Sequence, residues 1–306
     1  MPEWLSGPVL GQFLALCSAI SFSLANNFIS RTTQSAGDKG VMFSILVTAG
    51  LSLVLWLALE AGDTGWPNGQ EAWQGLGWFA LAGLLAMVFG RTLVFESIRR
   101  LGVTRSTAVK RLNPFFAVVL AAVFLSEPIS NLDKIGMTAI ALSFGLLIRE
   151  SLSQRGSLGD APPSLAYLFG VFGALAYALA YVARKAGLNG LEAPALGTLV
   201  SALTGLAVFL TMALFFQSHR RNVAQVFSTL DRWIVIGAIM VSLGQILLFA
   251  ALAFETVATV VLIASLEIFM SIFLSVVVFK REARPSLAVG CAALLAMGGV
   301  GLVAFG

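Results

Sequence analysis

The second half of this chain repeats the first about 154 residues further along, and both halves consist of segments suited to a lipid bilayer. The coinciding pairs include Gly83 with Gly237, Gly90 with Gly244, Leu93 with Leu247, Phe95 with Phe249, Leu112 with Leu266 and Phe115 with Phe269. No gap is needed along this stretch. If each unit contains an odd number of membrane spans, the second unit must be inverted relative to the first.

Composition places the chain in a membrane. It is 58% hydrophobic and 11% charged, and its mean hydropathy is +0.92, which excludes an ordinary soluble domain. A span needs about 20 apolar residues, and the stretches that qualify are 9–29, 41–59, 73–98, 102–125, 132–148, 164–183, 195–216, 232–253, 256–279 and 285–305. We therefore predict an all-α integral membrane protein with ten transmembrane helices in two inverted five-helix repeats. The repeats are 1–150 and 164–306, joined by a polar linker at 151–163.

Several other protein classes are disfavoured. The first span follows no basic segment and matches the sixth span, so we do not expect a cleaved signal peptide. Cys17 and Cys291 lie inside spans, and the only histidine is His219, so no disulfide or metal spacing is present. There is no P-loop and no serine-hydrolase elbow. We expect no enzyme, cofactor, metal or nucleic-acid partner. A membrane enzyme that uses only carboxylates and lysines, and a passive channel, remain as alternatives.

Basic residues are unevenly divided between the predicted loops. Thirteen lysines and arginines fall in loops on one side, and the other side holds only Lys134, Arg184 and Lys185. The positive-inside rule then places the thirteen in the cytoplasm and both termini outside.

Charged residues also occur inside predicted spans, where they normally face the interior of a helix bundle or a wet cavity. Arg91 lies in the third span, Lys110 and Arg111 in the fourth, and Glu96 and Glu267 in or near spans. Lys110 and Arg111 are alternatively ordinary boundary charges of a span that begins later. Arg91 is alternatively a structural ion-pair partner of Glu96 or Glu267, and Glu96 itself fits a boundary position next to basic residues.

The repeat alignment singles out two polar pairs. Arg91 aligns with Gln245, each directly after a glycine, and Asn113 aligns with Glu267. Pro114 follows Asn113 and removes a backbone hydrogen bond inside a span, which kinks helices. Equivalent polar positions in otherwise apolar segments favour a shared central site.

Three further residues are candidates for lining such a site. Asn27 lies in the first span, and Tyr177 and Tyr181 are one turn apart on the sixth. For the tyrosines, packing against neighbouring helices or a place in an interfacial aromatic belt is the alternative.

The sequence resembles the EamA-type transporters of the drug/metabolite transporter superfamily. The stretches that carry the resemblance are 112–116 with Leu125-Ser126-Glu127-Pro128, and 265–269 with Lys280-Arg281-Glu282. The resemblance implies ten helices around a central cavity and the export, or sometimes uptake, of small metabolites, driven by protons or by exchange. Family members generally have cytoplasmic termini, contrary to the charge count. Ile268 replaces the second-repeat proline, so a kink there need not match the first.

Together these features predict a secondary transporter that exports a small polar metabolite such as an amino acid or organic acid. We expect it in the inner membrane as a monomer or homodimer, working by alternating access. The expected substrate-binding residues are Asn27, Arg91, Lys110, Arg111, Asn113, Tyr177, Tyr181 and Gln245. Arg91, Lys110 and Arg111 would favour a carboxylate or phosphate group, and Glu267 is the candidate for proton coupling. Glu127 and Glu282, near span ends, are expected to tie loops structurally. An uptake carrier is the alternative.

Overall fold

The computed structural model describes residues 7–31, 37–64, 68–153, 164–227, 230–280 and 286–304, and these ranges are almost entirely helical. The α-helices are α1 (Pro8–Ile29), α2 (Gly37–Leu55), α3 (Ala61–Thr64), α4 (Gln70–Gly83), α5 (Arg91–Lys110), α6 (Asn113–Phe124), α7 (Asn131–Ser153), α8 (Ser164–Gly190), α9 (Pro194–Phe215), α10 (Gln217–Ala224), α11 (Arg232–Phe254), α12 (Val257–Ala264), α13 (Glu267–Phe273) and α14 (Leu287–Ala304). Short π-helical stretches at Trp56–Glu60, Leu84–Gly90 and Leu274–Val278 continue α2, α4 and α13. Most of the expected linker and Glu282 lie outside the described residues.

Within the described ranges, nine helical segments are long and apolar enough to cross a membrane. They are Pro8–Ile29, Gly40–Glu60, Gln70–Leu101, Asn131–Glu150, Leu165–Gly190, Pro194–Phe215, Arg232–Phe254, Val257–Val278 and Leu287–Ala304. They correspond to nine of the ten expected spans. The stretch expected at 102–125 is not among them, because Arg105, Lys110 and Arg111 make its first half polar.

The chain nevertheless turns back on itself within α5. A Cβ added to Gly170 of α8 would stand 2.9 Å from Ser97 Oγ and 2.9 Å from Val109 Cγ1. A straight helix would place these two residues about 18 Å apart, at about 1.5 Å per residue. The segment that leads into α6 therefore runs back alongside the helix that precedes it.

Two helices are interrupted at equivalent points of the repeat. The α-helical hydrogen-bond pattern is interrupted at Arg111–Leu112, between α5 and α6, and at Ser265–Leu266, between α12 and α13, although these residues keep right-handed helical dihedral angles. At each break the backbone N–H groups bond to carbonyls three residues back, as with Leu112 N to Val109 O at 3.0 Å and Leu266 N to Ile263 O at 3.0 Å. Pro114 accompanies only the first break, so the interruption does not depend on a proline.

The pattern of helix–helix contacts is unchanged when the two repeats are interchanged. The largest contacts join α1 to α11, α4 and α5 to α8, α7 to α14 and α2 to α9. Swapping the repeats turns the α1–α11 pair into the α8–α4 pair, and it maps the α7–α14 and α2–α9 pairs onto themselves. Contacts along α1 and α11 run in opposite directions, since Gly11 meets Glu255 and Ile29 meets Gly237. The same holds for α4 and α8, since Gly75 meets Leu191 and Gly90 meets Tyr177.

Helix α8 is longer than the sequence indicated, and this corrects the placement of Arg184 and Lys185 in a loop. The helix continues to Gly190, so both residues lie within it. Lys185 Nζ donates to the carbonyls of Leu252 at 2.8 Å and Glu255 at 3.0 Å, and so binds the C-terminal end of α11.

Carboxylates bind two helix starts on the same face of the bundle. Glu127 accepts hydrogen bonds from Val257 N at 3.1 and 3.0 Å, at the start of α12. Glu60 accepts from Ala195 N at 2.8 Å and Leu196 N at 3.1 Å, at the start of α9. Anionic groups at helix N-termini are stabilised by the unpaired N–H groups there. Burial raises the pKa of the Glu127 carboxyl, opposed by its backbone bonds and by nearby Lys185.

Glycine allows α7 and α14 to touch. A Cβ on Gly136 would lie 2.5 Å from both Gly299 O and Val303 Cγ2, whereas a Cβ on Gly145 of the same helix would meet nothing within 4 Å. Backbones approach closely in membranes only where side chains are small.

We therefore expect Gly136→Ala to destabilise the protein by about 1–3 kcal/mol, the usual cost of overpacking. Gly145→Ala is the matched control and should leave stability unchanged or slightly raised, because alanine favours helix and finds open space. Thermal unfolding in detergent measures both. Equal midpoints for the two variants would contradict the α7–α14 contact.

Candidate functional site

A central cavity of about 1040 Å³ lies between the two repeats. It is lined by residues of α1, α2, α5, α8 and α11, by the π-helical stretch before α5 and by the first residues of α6 and α13. Its polar lining consists of Asn26, Ser30, Ser44, Thr48, Arg91, Lys110, Asn113, Tyr177, Tyr181, Arg184, Gln245 and Glu267. Seven of the nine residues expected from the sequence therefore border one space.

The cavity extends towards one face of the bundle. Its lining continues to Ser30 at the end of α1, Val41 in the first turns of α2 and Ile234 in the first turn of α11. These helix ends lie on the side of the bundle whose loops together carry most of the basic residues. At the opposite face Glu60, Glu127 and Lys185 bind helix ends together. The molecule is thus closed on the face with few basic loop residues.

Arg91 and Gln245, equivalent in the repeat, face the same cavity. The glycine before each makes room for an aromatic ring from the first helix of the other repeat: a Cβ on Gly90 would lie 3.0 Å from the Tyr177 ring, and one on Gly244 would lie 3.0 Å from the Phe22 ring. The two glycines therefore keep the walls of the cavity close together at symmetric points.

The Arg91 guanidinium lies between aromatic rings, 5.3 Å from the Phe95 centroid and 5.4 Å from that of Phe209. Such contacts favour a cation. Glu96, one expected alternative partner, instead accepts hydrogen bonds from Arg99 at 2.7 Å and Arg100 at 2.5 Å. It forms a surface cluster with its neighbours, which fits a boundary position.

Lys110 and the two tyrosines form another wall. Lys110 Nζ lies 5.3 Å from the centroid of the Tyr177 ring, again a cation over an aromatic face. Tyr181, one turn further along α8, also lines the cavity. The tyrosines therefore border the central space as well as packing between helices.

Glu267 lies at the second helix break, and Asn26 Nδ2 donates to its Oε1 at 2.7 Å. Asn113, the repeat equivalent of Glu267, lies at the first break, and its Oδ1 is buried without a hydrogen-bond partner among the described residues. Both residues also line a side pocket of about 340 Å³ that opens beside the central cavity. The two interrupted helices thus present an acid and an amide to the same space.

Arg111 lies in this side pocket and not in the lining of the main cavity. Its guanidinium is 5.7 Å from the Phe144 centroid. Its Nε and Nη1 atoms are buried, and neither has a hydrogen-bond partner within the described part of the chain. The side pocket therefore contains a cation whose donors remain available.

Asn27 lies away from the cavity, and its neighbour Asn26 occupies the position expected of it. Asn27 is 5% exposed, and its Nδ2 donates to Ser23 O at 2.9 Å, Ser271 O at 3.1 Å and Ser271 Oγ at 3.2 Å. These bonds hold α1 against α13. Successive helical residues point about 100° apart, and the sequence did not indicate which of the two asparagines faces inward.

Arg184 is a cavity residue that the sequence analysis missed. It is 5% exposed and lines the central cavity, 4.9 Å from the Phe249 centroid and 5.5 Å from that of Tyr181. Its spacing from Tyr177 and Tyr181 places all three residues on one helical face, and this spacing in the sequence already indicated that Arg184 could line the same space as the tyrosines. It was missed because the sixth span was ended at residue 183.

Charge on the lining is predominantly positive. Arg91, Lys110 and Arg184 border the central cavity, and Glu267 is the only acidic residue among the described residues that line it. No group of three or more histidine, cysteine, aspartate or glutamate side chains that could hold a metal ion occurs in the described ranges. The arrangement is suited to binding an anion by charge and hydrogen bonds.

Comparison with models of protein families identifies the family of this chain. The model of the EamA-like transporter family matches residues 9–149 and again residues 164–305. The chain belongs to this family. It is therefore a multi-pass membrane protein of a transporter family, with one family unit in each repeat.

Comparison with solved structures supports the fold. One crystal structure of a protein superposes on this chain with a TM-score of 0.73, and the match covers 96% of this chain and 95% of the other. Sequence identity is 16%, so this likeness concerns the fold alone. Comparison with curated proteins gives no match.

The two asparagines give a direct test of the cavity. In a Cys17→Ser, Cys291→Ser background, we expect Asn26→Cys and Gln245→Cys to react with a membrane-impermeant maleimide added on the face of the basic loops, because both line the cavity. Asn27→Cys should be protected, because that side chain is packed against α13. Labelling is read by a mass shift. Equal labelling at positions 26 and 27 would contradict the described packing of α1.

Proposed function

We propose that the EamA protein described here is a secondary active transporter that exports a small anionic metabolite by alternating access. The observation that carries the proposal is a deep cavity between two repeats, lined by three cations and closed at one end. A single chain contains the whole cavity, so a monomer suffices for transport, and a homodimer would contain two independent sites.

Inversion of the repeats is supported by helix direction. The chain crosses the membrane twice between the start of α1 and the start of α4, so these two helices run in the same direction. The contacts between α4 and α8 indicate that those two helices run in opposite directions. The first helices of the two repeats, α1 and α8, then point to opposite sides of the membrane. The reversal within α5, followed by α6, supplies the tenth span that an odd count in each repeat requires.

Substrate class follows from the lining. Arg91, Lys110 and Arg184 favour a carboxylate or phosphate group, since charge-assisted hydrogen bonds are about twice as strong as neutral ones. Asn26, Asn113 and Gln245 offer neutral hydrogen bonds. Tyr177 and Tyr181 offer an apolar wall. Organic acids and amino acids both fit this description.

A carrier fits the closed face better than a passive channel does. Glu60, Glu127 and Lys185 bind helix ends across that face, so the cavity leads to one side only. Alternating access requires such a closed end, which opens as the other end closes. Collapse of ion gradients should then change the flux, whereas a passive channel would be indifferent.

The inner membrane is the proposed location, with the termini outside. Because Arg184 and Lys185 lie in α8 and not in a loop, the loops on the outer side contain even fewer basic residues, which strengthens the charge asymmetry between the two sides. The cavity then faces the cytoplasm, as the loading state of an exporter would. In intact cells an impermeant maleimide should fail to reach Asn26→Cys, and rapid labelling there would reverse this orientation.

We expect Arg91→Ala to raise the half-saturation concentration for anionic substrates about 10-fold or more, since a hydrogen bond to a charged group contributes about 1.5–3 kcal/mol. Counterflow in proteoliposomes against amino acids, organic acids and sugar phosphates measures this. Arg99→Ala, which removes a surface arginine of the same helix, is the matched control. Unchanged uptake of every accepted substrate in Arg91→Ala would refute the anionic pocket.

For proton coupling we expect Glu267→Gln to abolish the dependence of transport on a proton gradient while substrate exchange continues. The reason is that glutamine keeps the hydrogen bond with Asn26 but cannot bind and release a proton. Uptake into vesicles with and without an imposed pH gradient measures the difference. Glu71→Gln, an exposed acid at the start of α4, is the control. A gradient response preserved in Glu267→Gln would exclude this residue from coupling.

A further inference from the structure

We propose that the transported anion is a dicarboxylate whose two carboxylate groups bind separately, one at Arg184 in the central cavity and the other at Arg111 in the side pocket. The proposal rests on the transport function proposed above and narrows its substrate class. It assigns Arg184 a binding role and divides the site into two anion subsites.

Arg184 supplies the first subsite. Its side chain is 5% exposed within a membrane-spanning helix, and its guanidinium lies near the rings of Tyr181 and Phe249. Its Nε has no hydrogen-bond partner among the described residues. Leaving a buried charge without a counter-charge is strongly unfavourable, and ring faces offset only part of this cost. An anion in the cavity provides the missing partner.

Arg111 supplies the second subsite. Its Nε and Nη1 and the Ser106 Oγ can each donate a hydrogen bond, yet all three atoms are buried without partners in the described ranges, and both residues line the side pocket. Buried polar atoms are nearly always hydrogen-bonded, so several unsatisfied atoms in one pocket indicate a ligand site. With Arg111 as the cation among them, the ligand group is an anion.

The charge around the two pockets favours a ligand with more than one negative charge. Lys110 lies close enough to Glu267 to interact with it electrostatically, so these two residues offset each other. Arg91, Arg111 and Arg184 then remain as three positive charges that line the two pockets. A monocarboxylate would offset only one of them, whereas a dicarboxylate would offset two.

The geometry favours charges at two ends of the ligand. Arg184 lines the central cavity and not the side pocket, and Arg111 lines the side pocket and not the central cavity. The two spaces share Asn26, Lys110, Asn113, Tyr181 and Glu267 and therefore adjoin, so the proposed ligand has one carboxylate in each space and a short chain between them. A phosphate monoester concentrates both charges at one end and would occupy only one subsite.

Ligand-induced thermal stabilisation in detergent tests the proposal, with succinate and glutarate as dicarboxylates, butyrate and valerate as monocarboxylates of equal length, and glycerol phosphate as the one-ended dianion. Counterflow in proteoliposomes gives the matching transport preference. We expect a dicarboxylate to bind at least about 10-fold more tightly than its monocarboxylate. Arg184→Gln and Arg111→Gln should each reduce this preference to about 2-fold or less, while Arg100→Gln, a surface control, should keep it.

A purely structural role of Arg184 has a different signature. Without ligand, Arg184→Gln should unfold at the same or a higher temperature than the wild type, because the variant removes an unpaired buried charge. Loss of stability with an unchanged dicarboxylate preference would overturn the assignment of Arg184. Arg184→Lys, which keeps the charge, should retain part of the preference.

The remaining outcomes separate the two proposals. Equal binding of monocarboxylates and dicarboxylates, or tighter binding of glycerol phosphate, would overturn the two-ended ligand and leave anion transport standing. Binding and transport of neutral or cationic compounds alone would overturn both.

Discussion

The cost of placing a charge in hydrocarbon is the constraint on which the rest of this structure depends. Arg91, Arg184 and Glu267 lie within membrane-spanning segments, where an ionised side chain costs about 2.5–3.5 kcal/mol at the bilayer centre on insertion scales. The fold turns all three toward one enclosed space and surrounds them with rings and amides. A cavity between the repeats therefore keeps these charged side chains away from the lipid.

The same constraint explains why the broken helices meet at this space. Backbone groups in a bilayer must be hydrogen-bonded internally, and irregular backbone is tolerated only inside protein or beside water. The breaks at Arg111–Leu112 and Ser265–Leu266 satisfy their N–H groups through bonds to carbonyls three residues back. Side chains next to both breaks line the side pocket. Polar side chains from both breaks therefore meet at one pocket inside the protein.

The two repeats contribute equivalent glycines to the cavity walls, but their charged residues around the cavity differ. Gly90 and Gly244 admit equivalent rings, yet Arg91 is matched only by Gln245. Arg184 lies near the end of the first helix of the second repeat, and Arg31 follows the first helix of the first repeat, with its guanidinium 4.5 Å from the Trp233 centroid and 4.1 Å from that of Phe279, near one face of the bundle. One arginine thus enters the cavity while its counterpart stacks at the edge. The positive charge is concentrated on the first repeat and on α8.

The sequence by itself determined the membrane class, the two repeats and seven of the residues that border the cavity, because hydropathy and repeat alignment depend on composition and order alone. Only the tertiary structure placed Asn26 rather than Asn27 at the cavity and extended α8 through Arg184. Which side of a helix faces inward, and where it ends, are decided by contacts with helices distant in sequence: Asn27 is held by Ser271, and Lys185 by the end of α11. The reversal within α5, by contrast, agrees with the turn that the sequence places between the stretches 73–98 and 102–125, and both of its arms pack near Gly170.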